Sequence, residues 1–361
     1  MSDWEQVGGR VREARVAAGL TQSQLAGRLS LDRSALVRIE SGQRQVSALE
    51  LFRLSDELGV PVAHFVSVPP PAIVSQRAEV DEDAQDTTRI RYQFDAVLEA
   101  HARDAEFLNA KGYLRPGLAL PQARVAEVAA AKRLAGAART AAGYSDGPLP
   151  GIAEVCERFG LYLLVVDLPA EGASLRLDDR LGVAVVSGHA AAGRRRFTAA
   201  HELGHHLLGD EYQSDVGVAA SRDERERLID AFAAELLLPD TEVARRWESL
   251  SGTARERLVR LAAEYRVSWR VAVSTARLAG IFGDEEARML RADTPQRGDF
   301  LAICGTEPAE DLLPRQTGPT WRRAVLAAYH DGVITPARAI ELLHEALHEA
   351  ELPDREPQPQ P

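Results

Sequence analysis

The stretch Arg196-Phe197-Thr198-Ala199-Ala200-His201-Glu202-Leu203-Gly204-His205 sets two histidines four residues apart, with a glutamate beside the first. Apolar spacing predicts a helix over 195–208. At about 100° per residue the two imidazoles share a face, about 6 Å apart along the axis. That separation lets both reach one Zn2+ at about 2.0–2.1 Å. Glu202 then stands where a general base is needed, to take a proton from water beside the ion and pass it to a leaving amine. The pattern by itself is cheap, because His344-Glu345-Ala346-Leu347-His348 repeats it.

Context separates the two copies. An apolar strand, Val183–Val186, precedes the first, and is expected to be an edge strand able to hold a peptide by main-chain pairing. A further helix predicted over 222–238 carries Glu226, 21 residues after His205, and Asp230 one turn later. It continues as Phe232-Ala233-Ala234-Glu235-Leu236-Leu237, an apolar stripe suited to packing against the histidine-bearing helix. The second copy lies in an acidic amphipathic helix predicted over 336–350, with no strand before it. Glu226 is favoured as third ligand, in competition with Glu224 and Asp230 on the same helix and with Asp210, Glu211 and Asp215. Tyr212, His206 and Tyr265 are candidates for stabilising an oxyanion.

Around this centre the chain is of ordinary globular composition. Its 361 residues are 45% hydrophobic and 27% charged, enough for two or three domains. No apolar run approaches a membrane span of roughly 18 residues, and the N-terminus lacks a basic stretch followed by an apolar core. Cys156 and Cys304 stand apart from each other and from any metal-ligand spacing, so a reducing cytoplasm is the expected setting. A net charge of −11 excludes a general nucleic-acid coat, so any DNA contact has to come from a local surface. The expected division is 1–68, a set of short helices; 69–120, a linker (Val68-Pro69-Pro70-Pro71 and the acidic Glu79–Asp86) with a connecting helix; 121–288, containing strands at Leu161–Val166, Ser174–Leu177 and Val183–Val186 among helices; and 289–361, a helical accessory segment with helices over 319–331 and 336–350 and a disordered Pro-rich tail.

The residues 196–205, together with Glu226-Arg227-Leu228-Ile229-Asp230-Ala231-Phe232-Ala233-Ala234-Glu235-Leu236-Leu237-Leu238-Pro239, resemble the ImmA/IrrE family of metallo-endopeptidases over about 121–281. The resemblance implies a small thermolysin-like zinc core followed by helices. It also implies one Zn2+ held by His201, His205 and Glu226, Glu202 as catalytic base, and Asp230 orienting a ligand histidine by hydrogen bonding, as in thermolysin-like peptidases. Family members cleave a phage-type or stress repressor, or sit in toxin–antitoxin modules. This chain has Ile229-Asp230 where the family usually has Ala-Asn, a change that keeps the hydrogen-bond acceptor.

Residues 7–66 have the layout of a five-helix helix-turn-helix unit. Thr21 suits an N-cap for a helix from Gln22. A turn at Ser30-Leu31 leads into a second helix at Asp32–Glu40, with Leu36 and Ile39 inward and Arg33, Ser34, Val37 and Arg38 outward. Leu20-Thr21-Gln22-Ser23-Gln24-Leu25-Ala26, Ile39-Glu40-Ser41-Gly42 and Leu58-Gly59-Val60-Pro61 resemble the Xre/lambda-repressor family. That resemblance implies that the Asp32–Glu40 helix enters the major groove of an operator, Arg33, Ser34, Val37 and Arg38 facing bases while Gln22 and Arg44 hold phosphates or base edges. Such repressors commonly pair as homodimers on two half-sites. Residues 1–68 hold eight arginines and eight acids, which leaves protein binding as the competing reading of this unit.

The expected fold class is therefore α+β multidomain: an all-α five-helix unit, then a mostly helical thermolysin-like zincin core with about three strands, then a helical C-terminal segment. The leading functional expectation is a DNA-binding transcriptional regulator fused to a zinc endopeptidase acting on a repressor or antitoxin-type protein. The alternative is a non-proteolytic regulator or antitoxin with a metal-binding domain.

Overall fold

The computed structural model describes residues 3–67, 75–77, 84–120, 125–208 and 219–355. Five helices come first: α1 (Asp3–Ala17), α2 (Gln22–Arg28), α3 (Arg33–Glu40), α4 (Ala48–Leu58) and α5 (Val62–Val66). Thr21 and Ser47 both build capping boxes, with Gln24 and Glu50 as the reciprocal partners, so two helix starts are set locally by sequence. Val11, Leu25, Leu36, Ile39 and Leu54 close the core of this bundle with no exposed surface. Gly8 is required where α1 crosses α3, since a Cβ there would lie 2.2 Å from the Ile39 carbonyl oxygen.

A short strand β1 (Ser75–Arg77) follows, then the 27-residue helix α6 (Ala84–Ala110). This is the connecting helix expected within 69–120, and it takes in the end of the acidic stretch. It joins two cores. Ala96 is buried among the residues of the N-terminal bundle, whereas Phe94, Leu98, Ala102, Ala105 and Leu108 pack under the sheet. His64 of α5 bonds Tyr92 through Nε2 at 2.7 Å and Glu99 through Nδ1 at 3.2 Å, which ties the bundle to this helix.

The remaining elements are α7 (Val128–Ala141), α8 (Ile152–Arg158), β2 (Leu161–Val166), β3 (Gly172–Asp178), β4 (Leu181–Ser187), α9 (Ala192–Leu208), α10 (Ala219–Leu237), α11 (Asp240–Ser249), α12 (Ala254–Tyr265), α13 (Trp269–Leu278), α14 (Asp284–Ala292), α15 (Arg297–Cys304), α16 (Pro319–His330) and α17 (Pro336–Leu342). The three expected strands are present, and β1 makes a fourth. The sheet order is β1-β3-β4-β2, antiparallel except for β2 with β4.

This order corrects the expectation that Val183–Val186 is an edge strand. β4 lies between β3 and β2, and all seven of its residues are buried. A continuous apolar run belongs in a strand covered on both faces, not at a solvated edge. β1 is the edge strand on the β3 side, and on the far side Val165 of β2 exchanges backbone hydrogen bonds with Arg315 and Gln316.

Helices cover both faces of the sheet. Leu161, Leu163, Val165, Ala184 and Val186 share one core with residues of α7, α8, α9, α10, α12 and α13. Tyr162, Leu164, Leu175, Val183 and Val185 face α6, α16 and α17. The C-terminal helices are thus a packed layer of the core. Glu157 fixes them in place: its carboxylate accepts from the Thr320 N–H at 2.7 Å and the Trp321 N–H at 2.8 Å, satisfying the open start of α16.

The expected helix over 336–350 ends early. α17 stops at Leu342, and His344 and Glu345 take left-handed φ values of 53° and 61°. The chain turns there so that Leu343 and Leu347 reach the sheet-side core. Side-chain burial outweighs the helix-compatible pattern of the acidic stretch. The expected Pro-rich tail, residues 69–74 and most of the acidic stretch lie outside the described residues.

Candidate metal centre

Helix α9 runs beneath β3 and β4 and is buried from Arg195 to His206. Its apolar side faces the sheet and α10, so the polar residues His201, Glu202 and His205 also end in the interior, each with no exposed surface. Three titratable groups so deeply buried need partners. Gly204 lets those partners approach. A Cβ at this position would lie 3.0 Å from Ile229 and from Phe232 of α10, so the glycine permits the close packing of the helix that carries Glu226.

The structure brings His201, His205 and Glu226 together, with one potential ligand atom from each lying within 4.8 Å of the other two. The two Nε2 atoms are 3.0 Å apart. Glu226 Oε2 is 3.3 Å from His201 Nε2, and Oε1 is 3.7 Å from His205 Nε2. Two ligands about 2.0–2.1 Å from a tetrahedral ion stand ~3.3 Å apart, so the donor spacing fits a zinc-sized cation. Asp230 sharpens the fit. His201 Nδ1 faces Asp230 Oδ1 at 3.0 Å, a partner that favours the tautomer with its proton on Nδ1 and the lone pair on Nε2. Two facing imidazole nitrogens at 3.0 Å call for a proton or a cation between them. The side chains of Glu226 and Asp230 are 25% and 45% exposed while both histidines are sealed, so the centre opens to solvent on the α10 side.

Glu202 lies against β3. Ser174 Oγ donates to Glu202 Oε2 at 2.6 Å. A Cβ on Gly172 would fall 2.4 Å from Thr198 Cγ2 and 3.2 Å from Glu202 Oε1, so a glycine is needed for the strand to lie this close. Ser174 and Gly172 are contributors that sequence reasoning missed. Period-two alternation in β3 puts them on one face, but which helix that face meets is decided only by packing.

The oxyanion candidates fare differently. His206 is held by the Phe159 carbonyl at 2.9 Å. Burial is the main cause that drives its pKa down to about 4, and it is a core residue. Tyr265 is buried and donates to Glu242 Oε2 at 2.5 Å in the helical layer, which commits its hydroxyl elsewhere. Tyr212, and the rival ligands Asp210, Glu211 and Asp215, lie outside the described residues. Glu224 is an exposed residue of α10.

The second His-Glu-x-x-His copy forms no comparable centre. His344 lies against His101, their ring centroids 5.8 Å apart, in a layer with Trp321. His348 is exposed at the start of a short 3-10 turn.

In the N-terminal bundle, α3 presents Arg33, Ser34, Val37 and Arg38 to solvent on one face, with Leu36 and Ile39 buried beneath. Gln22 and Arg44 are more constrained. Gln22 Nε2 donates to Glu40 Oε2 at 2.8 Å, and Glu40 is held by Arg15 at 2.5 Å. Arg44 pairs with Glu50 at 2.7 Å. Both are half-buried, and each gives a donor to a carboxylate.

Residues 156–276 match the family of IrrE N-terminal-like domains, peptidase M78, and residues 11–65 match a helix-turn-helix family. Among curated proteins no sequence matches the chain. One similar solved structure is the restriction-modification controller protein C.AhdI from Aeromonas hydrophila, at 37% identity over 18% of this chain and 98% of that one, with a TM-score of 0.18. Another is PlcR of Bacillus thuringiensis in complex with the peptide PapR7 and DNA, at 12% identity over 94% of this chain and 93% of that one, also with a TM-score of 0.18. Among the described residues no helix is long and apolar enough to cross a membrane.

Proposed function

The chain joins an Xre-type helix-turn-helix domain to a peptidase domain of the ImmA/IrrE type, and from that premise we propose a DNA-bound regulator whose second unit is a zinc endopeptidase. The observation that carries the reading is the facing Nε2 pair of His201 and His205, closed by Glu226, on the helix that also carries Glu202.

His201, His205 and Glu226 would hold the zinc. When bound, the ion supplies a Lewis acid that acidifies water and polarises a peptide carbonyl. Glu202 takes the proton of the attacking water on its carboxylate and delivers it to the departing amine nitrogen as the peptide bond breaks. Ser174 donates to Glu202 Oε2 and so helps to orient the carboxylate. Asp230 keeps His201 in the tautomer whose Nε2 is a ligand. The proposed substrate is a repressor or antitoxin-type protein. The α3 face of Arg33, Ser34, Val37 and Arg38 is proposed to read an operator, with Gln22 and Arg44 as supporting contacts and a homodimer spanning two half-sites.

Incubating the zinc-loaded chain with a proteome-derived peptide pool, and reading new termini by mass spectrometry, tests the peptidase. Glu202→Gln is expected to retain zinc and to lower cleavage by about 10²–10⁴-fold. Protein that carries no zinc, or cleavage that survives Glu202→Gln, would sink the reading in favour of a non-proteolytic regulator. For the DNA unit, Arg33→Ala and Arg38→Ala should weaken binding to duplex from the gene's upstream region while leaving the zinc content unchanged.

A further inference from the structure

β3 lies against Glu202, and the outer side of that strand is closed by β1. Ser174 bonds Glu202 Oε2, and Gly172 allows the strand to pass close to Oε1. Those two residues and Ala173 between them pair with β1: Ser75 opposes Ser174, Gln76 opposes Ala173, and Arg77 opposes Gly172, in antiparallel register. An extended segment added antiparallel to a free sheet edge is how folded proteins commonly hold peptides, with main-chain hydrogen bonds supplying affinity. β1 comes from neither packed unit. It belongs to the chain between α5, the last helix of the DNA-binding bundle, and α6.

The two sheet edges are closed by very different means. On the β2 side residues 315 and 316 are held by the start of α16, whose Trp321 is fully buried. On the β3 side the cover is three residues long. A strand that short makes only two or three inter-strand hydrogen bonds, each worth about 1 kcal/mol net. A cover of that length is weak enough to be exchanged for another strand.

We propose that residues 75–77 of the same chain act as a displaceable strap, occupying the Gly172–Ser174 side of β3 along which a peptide substrate would lie in the peptidase reading. The partner that fits this surface is therefore an extended polypeptide, which must displace the strap to lie beside Glu202. The inference rests on the peptidase reading only for what happens after binding.

The test uses the full chain loaded with zinc, in a Glu202→Gln background so that bound peptide is not consumed. The probe is a fluorescein-labelled synthetic peptide with the sequence of residues 72–80, followed by anisotropy. Gln76→Pro/Arg77→Pro removes the backbone donor at two consecutive positions, so one of them disrupts the ladder whichever residue faces β3. The variant is expected to bind the probe about tenfold more tightly than the intact strap allows. In parallel, hydrogen exchange should show faster exchange within 172–174 in the variant, with β2 and β4 unchanged. Equal affinity with and without the prolines, or unchanged exchange at 172–174, overturns the inference. So does scission of the intact Glu202 chain within 72–80, since a strap has to survive the site it covers. A probe that binds the opened edge but is not hydrolysed by the zinc-loaded Glu202 chain sinks the peptidase reading and leaves the strap standing.

Discussion

The chain writes His-Glu-x-x-His twice and folds it in two ways. At 201–205 the motif sits in the middle of a 17-residue helix, buried on all sides, and its two histidines converge to 3.0 Å between their Nε2 atoms. At 344–348 the helix has already ended and two residues of the motif are left-handed. One histidine turns inward against His101 and the other faces solvent. Spacing of four residues puts two side chains on one face only while the backbone stays helical. The neighbours at the third and fourth positions of each motif explain why it does so in one place. Leu203-Gly204 gives α9 a buried anchor and a flat spot for α10 to cross. Ala346-Leu347 instead requires the chain to bend until Leu347 reaches the core.

The sharpest way to break this comparison is to remove one histidine from each copy. His205→Ala should lower bound zinc from about one ion per chain to near zero, because two ligands do not make a structural or catalytic site. His348→Ala should leave it unchanged, with metal content of the purified proteins as the readout. Zinc loss in the second variant alone would reverse the assignment of the two copies.

A smaller effect is expected at Asp230, which touches His201 and not the ion. Asp230→Ala should weaken zinc affinity by about 10–100-fold, as measured by competition with a chromophoric chelator. Asp230→Asn keeps an acceptor oxygen and should recover most of that loss. If Asp230→Ala matches wild type, the 3.0 Å contact with His201 does not set its tautomer.

The mildest test reads the second copy through acid. Burial is the main cause holding His344 down to about 4 and His101 to about 3, with the neighbouring His344 adding to the shift at His101. Both imidazoles stay neutral in the folded chain at pH values where the unfolded chain, near 6.5, already takes up protons. Their contribution to stability is therefore complete above about pH 6.5 and is lost as the pH falls toward 4. Each such histidine costs ~2 kcal/mol by pH 5. Urea midpoints should drop between pH 7 and 5, and His344→Gln should shallow that slope by about one proton's worth. An unchanged slope would mean that His344 is protonated in the fold.

How much of this was legible in sequence differs by element. The helix-turn-helix unit was almost entirely readable because its signals are local: the Thr21 cap, the turn at Ser30-Leu31 and the alternation of Leu36 and Ile39 with Arg33, Ser34, Val37 and Arg38 each act within a turn or two of helix. The strands at 161–166 and 181–187 were readable as apolar runs. Their order was not, and β4 was expected at an edge although it lies inside. Nothing in Val183–Val186 names its neighbours; that depends on which strands meet across the sheet. Ser174 and Gly172 escaped for the same reason, since their importance comes from Glu202, 28 residues away along the chain from Ser174. β1 escaped because Ser75-Gln76-Arg77 has no strand propensity of its own and is extended only by pairing with β3.

The sequence by itself determined residue chemistry at helical spacing: two imidazoles and a carboxylate on α9, and Glu226 with Asp230 one turn apart on a following helix. Only the tertiary structure decided which of two identical motifs keeps its helix, which strand edge Glu202 faces, and what lies along that edge. The physical reason is range. Caps, turns and helical faces are fixed by interactions over four residues or fewer, whereas a metal centre and a peptide-binding edge exist only where distant segments are packed together, and packing is settled by the burial of the whole chain.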